Sequence, residues 1–442
     1  MAHSITTLAA SFKRHYVQLL PPQVIDDACR QAGHRWRKRR FDPAATIYLF
    51  LLQILHGNTA ILHLRHLSGA AINAAAYCKA RMRLSLGVFE ALLDCSAAVA
   101  SAGCEPLLRS MRIFLVDATS SLAPDTPSIR KLFEQPANLK PGCGYPMAKV
   151  LALLDAASGA ILRGLICSLY VHEASNVWGL HPRLRPGDLL VGDRAFGTYV
   201  HLVLLQMRGV FGLFRVYQNQ KVDFRAGRRP GGKGRPTSRF VRKLGKWDQL
   251  VQWVKPQQRP KWMSRKQFDA LPAMMLVREV RYRLEARGQR TRLVTIVTTL
   301  LDPALYPAET IAHLYGLRWQ IETHFGQLKT TMKMSRLKCQ TAIGVKKELL
   351  MYFIVYNLIC RVIRDAARQQ EAELRRISFI DALRWLASAR IGQTLAVLAL
   401  IPLRPDRHEP RVIKYLKYRY RTMTKPRAIL KKRPYRYGGK IK

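Results

Sequence analysis

Acidic residues are scarce in this sequence. Its 442 residues include 28 Asp and Glu against 74 Lys and Arg, a formal charge of +46. Like charges repel in a compact state, so an excess of this size points to an acidic partner. Duplex DNA carries one negative charge per roughly 1.7 Å of axis and favours basic surfaces through counterion release. On charge alone, RNA or an acidic membrane surface would serve as well. Paired cysteines are also missing. The eight cysteines, Cys29, Cys78, Cys95, Cys104, Cys143, Cys167, Cys339 and Cys360, include no C-x-x-C pair. That excludes a zinc ribbon or dithiol redox motif and fits buried free thiols in a reducing cytoplasm. No apolar run is long enough to span a bilayer. Thr46–Leu55 is short, and Leu349–Ile363 carries Asn357 and Arg361 and stays below the ~20 residues a span needs. Both read as buried helices, and no membrane partner is expected. The opening residues lack the apolar core of a signal peptide. No Walker A pattern is present, so ATP dependence is not expected.

Hydrophobic residues make up 48% of the chain and aromatics 9%, enough for folded cores. The length suggests two or three domains. Residues 1–105 read as an α-helical N-terminal domain, with a helix over Phe41–Leu55 entered through Asp42-Pro43, a cap followed by proline at the first helical position. Arg35, Arg37, Lys38, Arg39 and Arg40, with Arg81 and Arg83, form either a solvated face or a DNA contact. Residues 106–370 change character. Arg112–Asp117 is a short apolar run ending in an acid, and Ala148–Asp155 and Ile161–Tyr170 flank a turn as a hairpin. Helical residues near Glu173–Leu180 precede a second acid-ended strand, Asp188–Asp193. A helix over Phe196–Met207 then leads to a strand over Val210–Val216. This succession resembles the ordering of an RNase H-like α/β core. Residues 220–305 interrupt it as a β-rich insertion, with a Gly, Pro and Arg-rich loop over Ala226–Lys246 and strands over Met274–Leu284 and Arg292–Leu300. Helical pattern returns from Pro307 to Ala367. Residues 371–442 form a helical C-terminal region and a basic tail. From Arg411 that tail has no acid and interleaves arginines such as Arg419 and Arg421 with Tyr415, Tyr418 and Tyr435, a mixture suited to phosphate contact and base stacking.

Cutting a phosphodiester requires an activated attacking oxygen and a stabilised leaving oxygen. Two Mg²⁺ ions do both, and such hard cations take carboxylate ligands. The search is therefore for acids on rigid elements that converge. Asp117 and Asp193 end two strands, and neighbouring strand ends of an α/β sheet share a rim where ligands gather. Each also fits a turn or helix-capping role. The third acid lies in a helix read over His313–Met334, where Tyr315, Arg318, Glu322 and Lys329 follow Y-x2-R-x3-E-x6-K spacing. At about 100° per residue these four share an arc of about 60°. A carboxylate flanked by cations on one stripe can hold metal while its neighbours hold phosphates. An exposed Arg–Glu pair has the same spacing.

The stretch LYGLRWQIETHFGQLKTTMKM resembles the YREK signature of DDE insertion-sequence transposases, specifically insertion sequence family four. VDATSSLAPDT with KPGCGYPMAKVLALLD resembles the region of that family's first catalytic Asp, and PGDLLVGDRAFGTY that of its second. The resemblance covers about Arg112–Ile363, in the family's order. It implies an RNase H-like fold, with Asp117, Asp193 and Glu322 as catalytic residues and ligands of two Mg²⁺ ions, for which Mn²⁺ substitutes. It assigns DNA contacts to Tyr315, Arg318 and Lys329. Trp319 and Phe325, on other faces of the helix, are expected in the core. Ala118 departs from the family's usual glycine after the first Asp, which puts only local backbone geometry in doubt. Glu173 falls where the family often has an acid and is a supporting candidate or a helix cap. A tryptophan of the insertion stacks on a flipped base in related enzymes; Trp247, Trp253 and Trp262 are candidates, with a core role open to each.

The resemblance thus implies a Mg-dependent DNA transposase acting on the terminal inverted repeats of a bacterial insertion sequence. It nicks the ends and joins the 3′-OH to target DNA through a hairpin or another second-strand route. Expected partners are double-stranded DNA ends, target DNA and a second copy of the chain in a DNA-bound dimer. The expected location is the nucleoid in the cytoplasm. Rival readings are an RNase H-like nuclease or junction resolvase, a catalytically silent DNA-binding regulator, and an RNA-binding protein.

Overall fold

A computed structural model describes residues 8–37, 39–171, 173–217, 219–226, 228, 238–284 and 292–402, together with residues 425, 426, 429 and 432. The tail's named arginines and tyrosines, and residues 227 and 229–237 of the Gly, Pro and Arg-rich loop, lie outside the described residues. The fold is mixed α/β, built on a nine-stranded sheet of order β3-β2-β1-β4-β5-β9-β8-β7-β6. The first five strands are β1 (Ile113–Leu122), β2 (Met147–Asp155), β3 (Ile161–Cys167), β4 (Leu189–Gly192) and β5 (Phe211–Arg215). β1, β4 and β5 are parallel, while β2 runs antiparallel to both β1 and β3.

The insertion supplies β6 (Arg239–Gly245), β7 (Asp248–Val254), β8 (Met274–Leu284) and β9 (Arg292–Thr298). β9 pairs antiparallel with β5, so the insertion extends the same sheet. This corrects the expected loop over Ala226–Lys246: its last third is β6, paired with β7 across a tight turn. β6 is an edge strand with most side chains in solvent, so it lacks the apolar alternation that marks a half-buried strand. β1 also runs further than its apolar run. Asp117 lies mid-strand, because pairing with β2 continues to Leu122↔Met147.

Six helices precede the sheet: α1 (Tyr16–Leu19), α2 (Pro22–Gln31), α3 (Pro43–Leu55), α4 (Leu64–Ser68), α5 (Ala74–Arg83) and α6 (Leu86–Ser101). α3 starts as expected, with the Asp42 carboxylate accepting from the Ala45 N–H at 2.8 Å, and all thirteen of its residues are buried. Within the catalytic span lie α7 (Pro127–Arg130), α8 (Glu173–Asn176) and α9 (Tyr199–Gln206), and within the insertion α10 (Arg265–Asp269). α11 (Ala308–Gly316), α12 (Trp319–Gly326), a π turn (Gln327–Thr331), α13 (Ala342–Gln369) and α14 (Phe379–Ser388) follow. The long α13 packs on α6 and α3, so one continuous apolar core runs from Leu8 to Leu398 and covers one face of the sheet. The polar residues that interrupt its apolar run are accounted for. Asn357 accepts from Ile161 N–H at 2.8 Å and donates to the Ile161 carbonyl, and Arg361 pairs with Asp365 at 2.6 Å. No single helix among the described residues is long and apolar enough to cross a membrane.

The other sheet face is covered around α9, where two buried histidines meet, His181 Nε2 to His201 Nε2 at 3.0 Å. His201 Nδ1–H donates to the Phe196 carbonyl, so its Nε2 accepts from His181 and both rings are neutral. Burial holds His181 down at about 3 and His201 at about 4. The unfolded chain takes up these protons below about 6.5 and the folded chain refuses them, so stability falls as pH drops from about 6.5 to about 4. Urea midpoints at pH 7.5, 5.5 and 4.5 should fall in that order. The slope should flatten in the His181→Gln, His201→Gln double variant; an unchanged slope there would assign it to other groups.

Candidate active site

β1 and β4 are parallel, with Val116 opposite Gly192, so Asp117 is the next residue of β1 and Asp193 follows directly where β4 ends. Leu115 and Val191, two residues earlier, both enter the core beneath α13. Side chains alternate along a strand, so Asp117 faces that side, and the charge of Asp193 reaches it. α12 packs on β1 there, and α11 on β4 and β8. Backbone amides orient the carboxylates: Ala118 N–H donates to Asp117 at 2.7 Å, and Ala195 N–H to Asp193 at 2.8 Å. The alanine that replaces the family's usual glycine therefore keeps the hydrogen bond its backbone supplies. Burial pushes the Asp117 carboxyl up to about 6; the Asp193 charge adds to this, and the Ala118 amide and Arg318 oppose it. A carboxylate held up by burial and a like-charged neighbour gains from a cation.

The segment carrying the third acid departs from the expected single helix over His313–Met334. α11 ends at Gly316, α12 starts at Trp319, and a π turn follows Gly326. The break and the wider turn change the angular step, so a regular helical wheel does not describe these four side chains. Tyr315 is buried (4% exposed), with burial raising its phenol. Glu322 is open to solvent, with 54% of its side chain exposed. Lys329 lies half-buried on the π turn. Arg318, 9% exposed, joins the group. Its guanidinium is 3.1 Å from Glu322 Oε1 and 3.9 Å from Asp117 Oδ2. Trp319 corrects the expectation of a core residue: it is 47% exposed, with the Arg318 guanidinium 4.2 Å from its ring centroid. Phe325 is buried as expected.

The inner side of α12 is fixed by His324, whose Nδ1 lies 2.6 Å from the Tyr356 hydroxyl, which donates to Gln327 at 2.8 Å. Gly159 permits this, since a Cβ there would lie 2.8 Å from the His324 ring. Glu173 stands at the start of α8, 3.9 Å from the Lys149 ammonium, and its charge reaches Asp117. Among the insertion's tryptophans, Trp253 is buried and donates to Glu279 at 2.9 Å, a core role. Trp247 sits partly exposed at the β6–β7 turn beside Lys246, and Trp262 packs partly buried against the second core.

The donor set suits a hard divalent cation: two carboxylates from neighbouring strands, one destabilised as an anion, and a third on a facing helix. Among the described residues, however, no three His, Cys, Asp or Glu side chains are close enough together to hold one ion. Arg318 stands between Asp117 and Glu322 and neutralises them in its place. The sequence listed Arg318 as a DNA contact, with an i, i+4 pair to Glu322 as the alternative, and that pair is present; the link to Asp117, which spans two elements distant in sequence, left no signal there.

The chain is 24% identical over 335 residues to the transposase InsG for insertion sequence element IS4 from Escherichia coli, covering 71% of this chain and 70% of that protein. It superposes on piggyBac transposase, in a synaptic complex with hairpin DNA, at a TM-score of 0.47 and 10% identity, covering 87% of this chain and 80% of that one. Residues 108–358, more than half of the chain, match the transposase DDE domain family, and by the extent of that match the chain belongs to it.

Proposed function

We infer that this transposase cuts the terminal inverted repeats of a bacterial insertion sequence and joins the freed 3′-OH ends to target DNA, and that its catalytic core is RNase H-like. What supports the reading is that Asp117 on β1 and Asp193, directly after the neighbouring β4, feel each other's charge beside the helix that carries Glu322. Two Mg²⁺ ions, or Mn²⁺ in their place, would be held by Asp117, Asp193 and Glu322 and would supply activation of the attacking oxygen and stabilisation of the leaving oxygen. The chain's own residues hold and orient. The amides of Ala118 and Ala195 fix the two aspartates. Arg318 and Lys329 are the cations available to phosphates of the transposon end. Arg318 must release Glu322 and Asp117 to reach them, and DNA phosphate offers it a charged, bidentate alternative. Tyr315 is buried beneath Arg318 and reaches DNA only if that arginine moves.

Water first attacks the phosphodiester at the transposon end, leaving a 3′-OH on the element. That 3′-OH then attacks the opposite strand, giving a hairpin, or target DNA directly; each attack makes one P–O bond and breaks one. The helical N-terminal region (residues 1–105), the basic insertion and the tail grip the ends. Both ends must be cut together, so two copies act as a dimer on DNA at the nucleoid. Incubating the full chain with labelled linear DNA bearing the element's end, in Mg²⁺ and in EDTA, tests this. Mg²⁺-dependent nicks at the boundary, with a hairpin on a denaturing gel, are expected. Binding without cleavage would favour a silent regulator, and cleavage of pre-cut ends without joining a plain nuclease.

A further inference from the structure

α12 is a helix of eight residues, set off from α11 by the break at Leu317 and Arg318 and followed directly by the π turn. Continuity with its neighbours therefore does little to fix how it is turned about its own axis. Ile321, Phe325 and Leu328 hold it to the core, but apolar burial is non-directional. The directional contact comes from His324. Its Nδ1 lies 2.6 Å from the Tyr356 hydroxyl on α13, and that hydroxyl donates to Gln327 Oε1 at 2.8 Å. A phenol has one proton to give, so the His324 Nδ1–H donates to the phenol oxygen. One hydroxyl thus ties the middle of α12 and the start of the π turn to the same point on α13.

That point is itself held. Tyr356 is buried, and its ring stacks on Phe379 of α14 with centroids 5.4 Å apart. The His324 ring also abuts the β2–β3 turn, where only a glycine at position 159 leaves it room. Glu322 precedes His324 by two residues, about 200° around the helix. It is open to solvent, while His324 faces α13. A rotation of α12 that frees the imidazole therefore carries the carboxylate with it. At the outer radius of a helix, about 5–6 Å, a turn of about 10–20° moves a group by about 1–2 Å. Catalytic groups must be held within roughly 0.5 Å, and a misplacement of about 1 Å can cost on the order of 10²-fold in rate.

We propose that His324 is a positioning residue: through the Tyr356 hydroxyl, which it shares with Gln327, it sets the rotation of α12 and so places the Glu322 carboxylate relative to Asp117 and Asp193. Phe379 gives α14 a part in the same task, by holding the Tyr356 ring. The proposal rests on the reading of Glu322 as a cutting residue.

The test uses the full chain on labelled end DNA. His324→Phe keeps the bulk of the ring and loses the donor. His324→Asn sets an amide N–H where Nδ1–H stood, and Tyr356→Phe removes the shared oxygen. At saturating DNA, His324→Phe and Tyr356→Phe should each cut about 10–100-fold more slowly, with KM unchanged. His324→Asn should recover most of that rate. The His324→Phe, Tyr356→Phe double variant should be no slower than the slower single, because both remove one linkage. Imidazole ¹⁵N spectra should show His324 as the Nδ1–H tautomer in the wild type, a signature lost in Tyr356→Phe. A network that served the core alone would lower the melting temperature and leave the rate per DNA-bound molecule intact, and that result overturns the proposal. Rate losses that multiply in the double variant, or an Nε2–H tautomer in the wild type, overturn it as well. Glu322→Gln that cuts like the wild type refutes instead the site assignment beneath it.

Discussion

Replacing Glu322 with Gln is expected to lower cleavage of the transposon end by on the order of 10³-fold or more, while end binding stays unchanged or tightens slightly. The amide keeps the size and hydrogen-bonding capacity of the carboxylate and removes only its charge. Glu322 is exposed and carries no apolar packing, so the fold should survive. Its present partner, Arg318, keeps Asp117 within 3.9 Å. Loss of a negative charge facing DNA can only reduce repulsion, which is why binding should not suffer. Single-turnover cleavage and gel-shift measurements on the same preparation separate the two effects. Cleavage within tenfold of the wild type would remove Glu322 from the catalytic set, and a parallel loss of binding would make it a DNA contact.

Asp248→Ala is expected to destabilise the protein by about 3–5 kcal/mol. Asp248 receives two hydrogen bonds from Arg278, at 2.8 and 2.5 Å, and Arg278 donates a third to the Tyr306 carbonyl at 2.6 Å. Arg278 is fully buried, so removing its carboxylate strands a guanidinium in the interior. The pair joins β7, β8 and the chain just before α11, and thereby anchors the insertion to the helix that carries Tyr315. Urea unfolding of Asp248→Ala should show the lost stability. The Asp248→Ala, Arg278→Met double variant should recover most of it, because no unpaired charge remains. A single variant within about 1 kcal/mol of the wild type would mean that water reaches the guanidinium.

Much of the candidate site's scaffold was legible in the sequence because its strands are short apolar runs bounded by acids. IFLVD at Ile113–Asp117 and LLVGD at Leu189–Asp193 mark strands buried on both faces, and β1 and β4 pair in parallel up to Val116 and Gly192, the residues just before the two aspartates. The β2–β3 hairpin was equally visible, because its turn carries Gly159 at φ +72°. What escaped has a common cause. The identity of a partner thirty or two hundred residues away leaves no local mark. The Arg278–Asp248 pair and the Arg318–Asp117 contact are both of this kind. Edge strand β6 escaped for another reason: with charged residues on both sides it carries no period of two. The break at Leu317 and Arg318 was hidden because apolar spacing continues across it, and that misplaced Trp319.

Because the insertion adds its strands to the sheet that carries Asp117, the two are coupled by the sheet's twist. Neighbouring strands rotate by roughly 20–25°, always in the same hand. From β4, the strand that leads into Asp193, to β6 there are five such steps, a turn of about 100–125°. The outer basic hairpin, with Arg242, Lys243 and Lys246 exposed, therefore looks well away from the face beside Asp117 and Asp193. A straight rod laid on the catalytic face leaves the surface before it reaches that hairpin. A duplex engaging both must curve around the sheet, or the two surfaces must grip different helices of DNA.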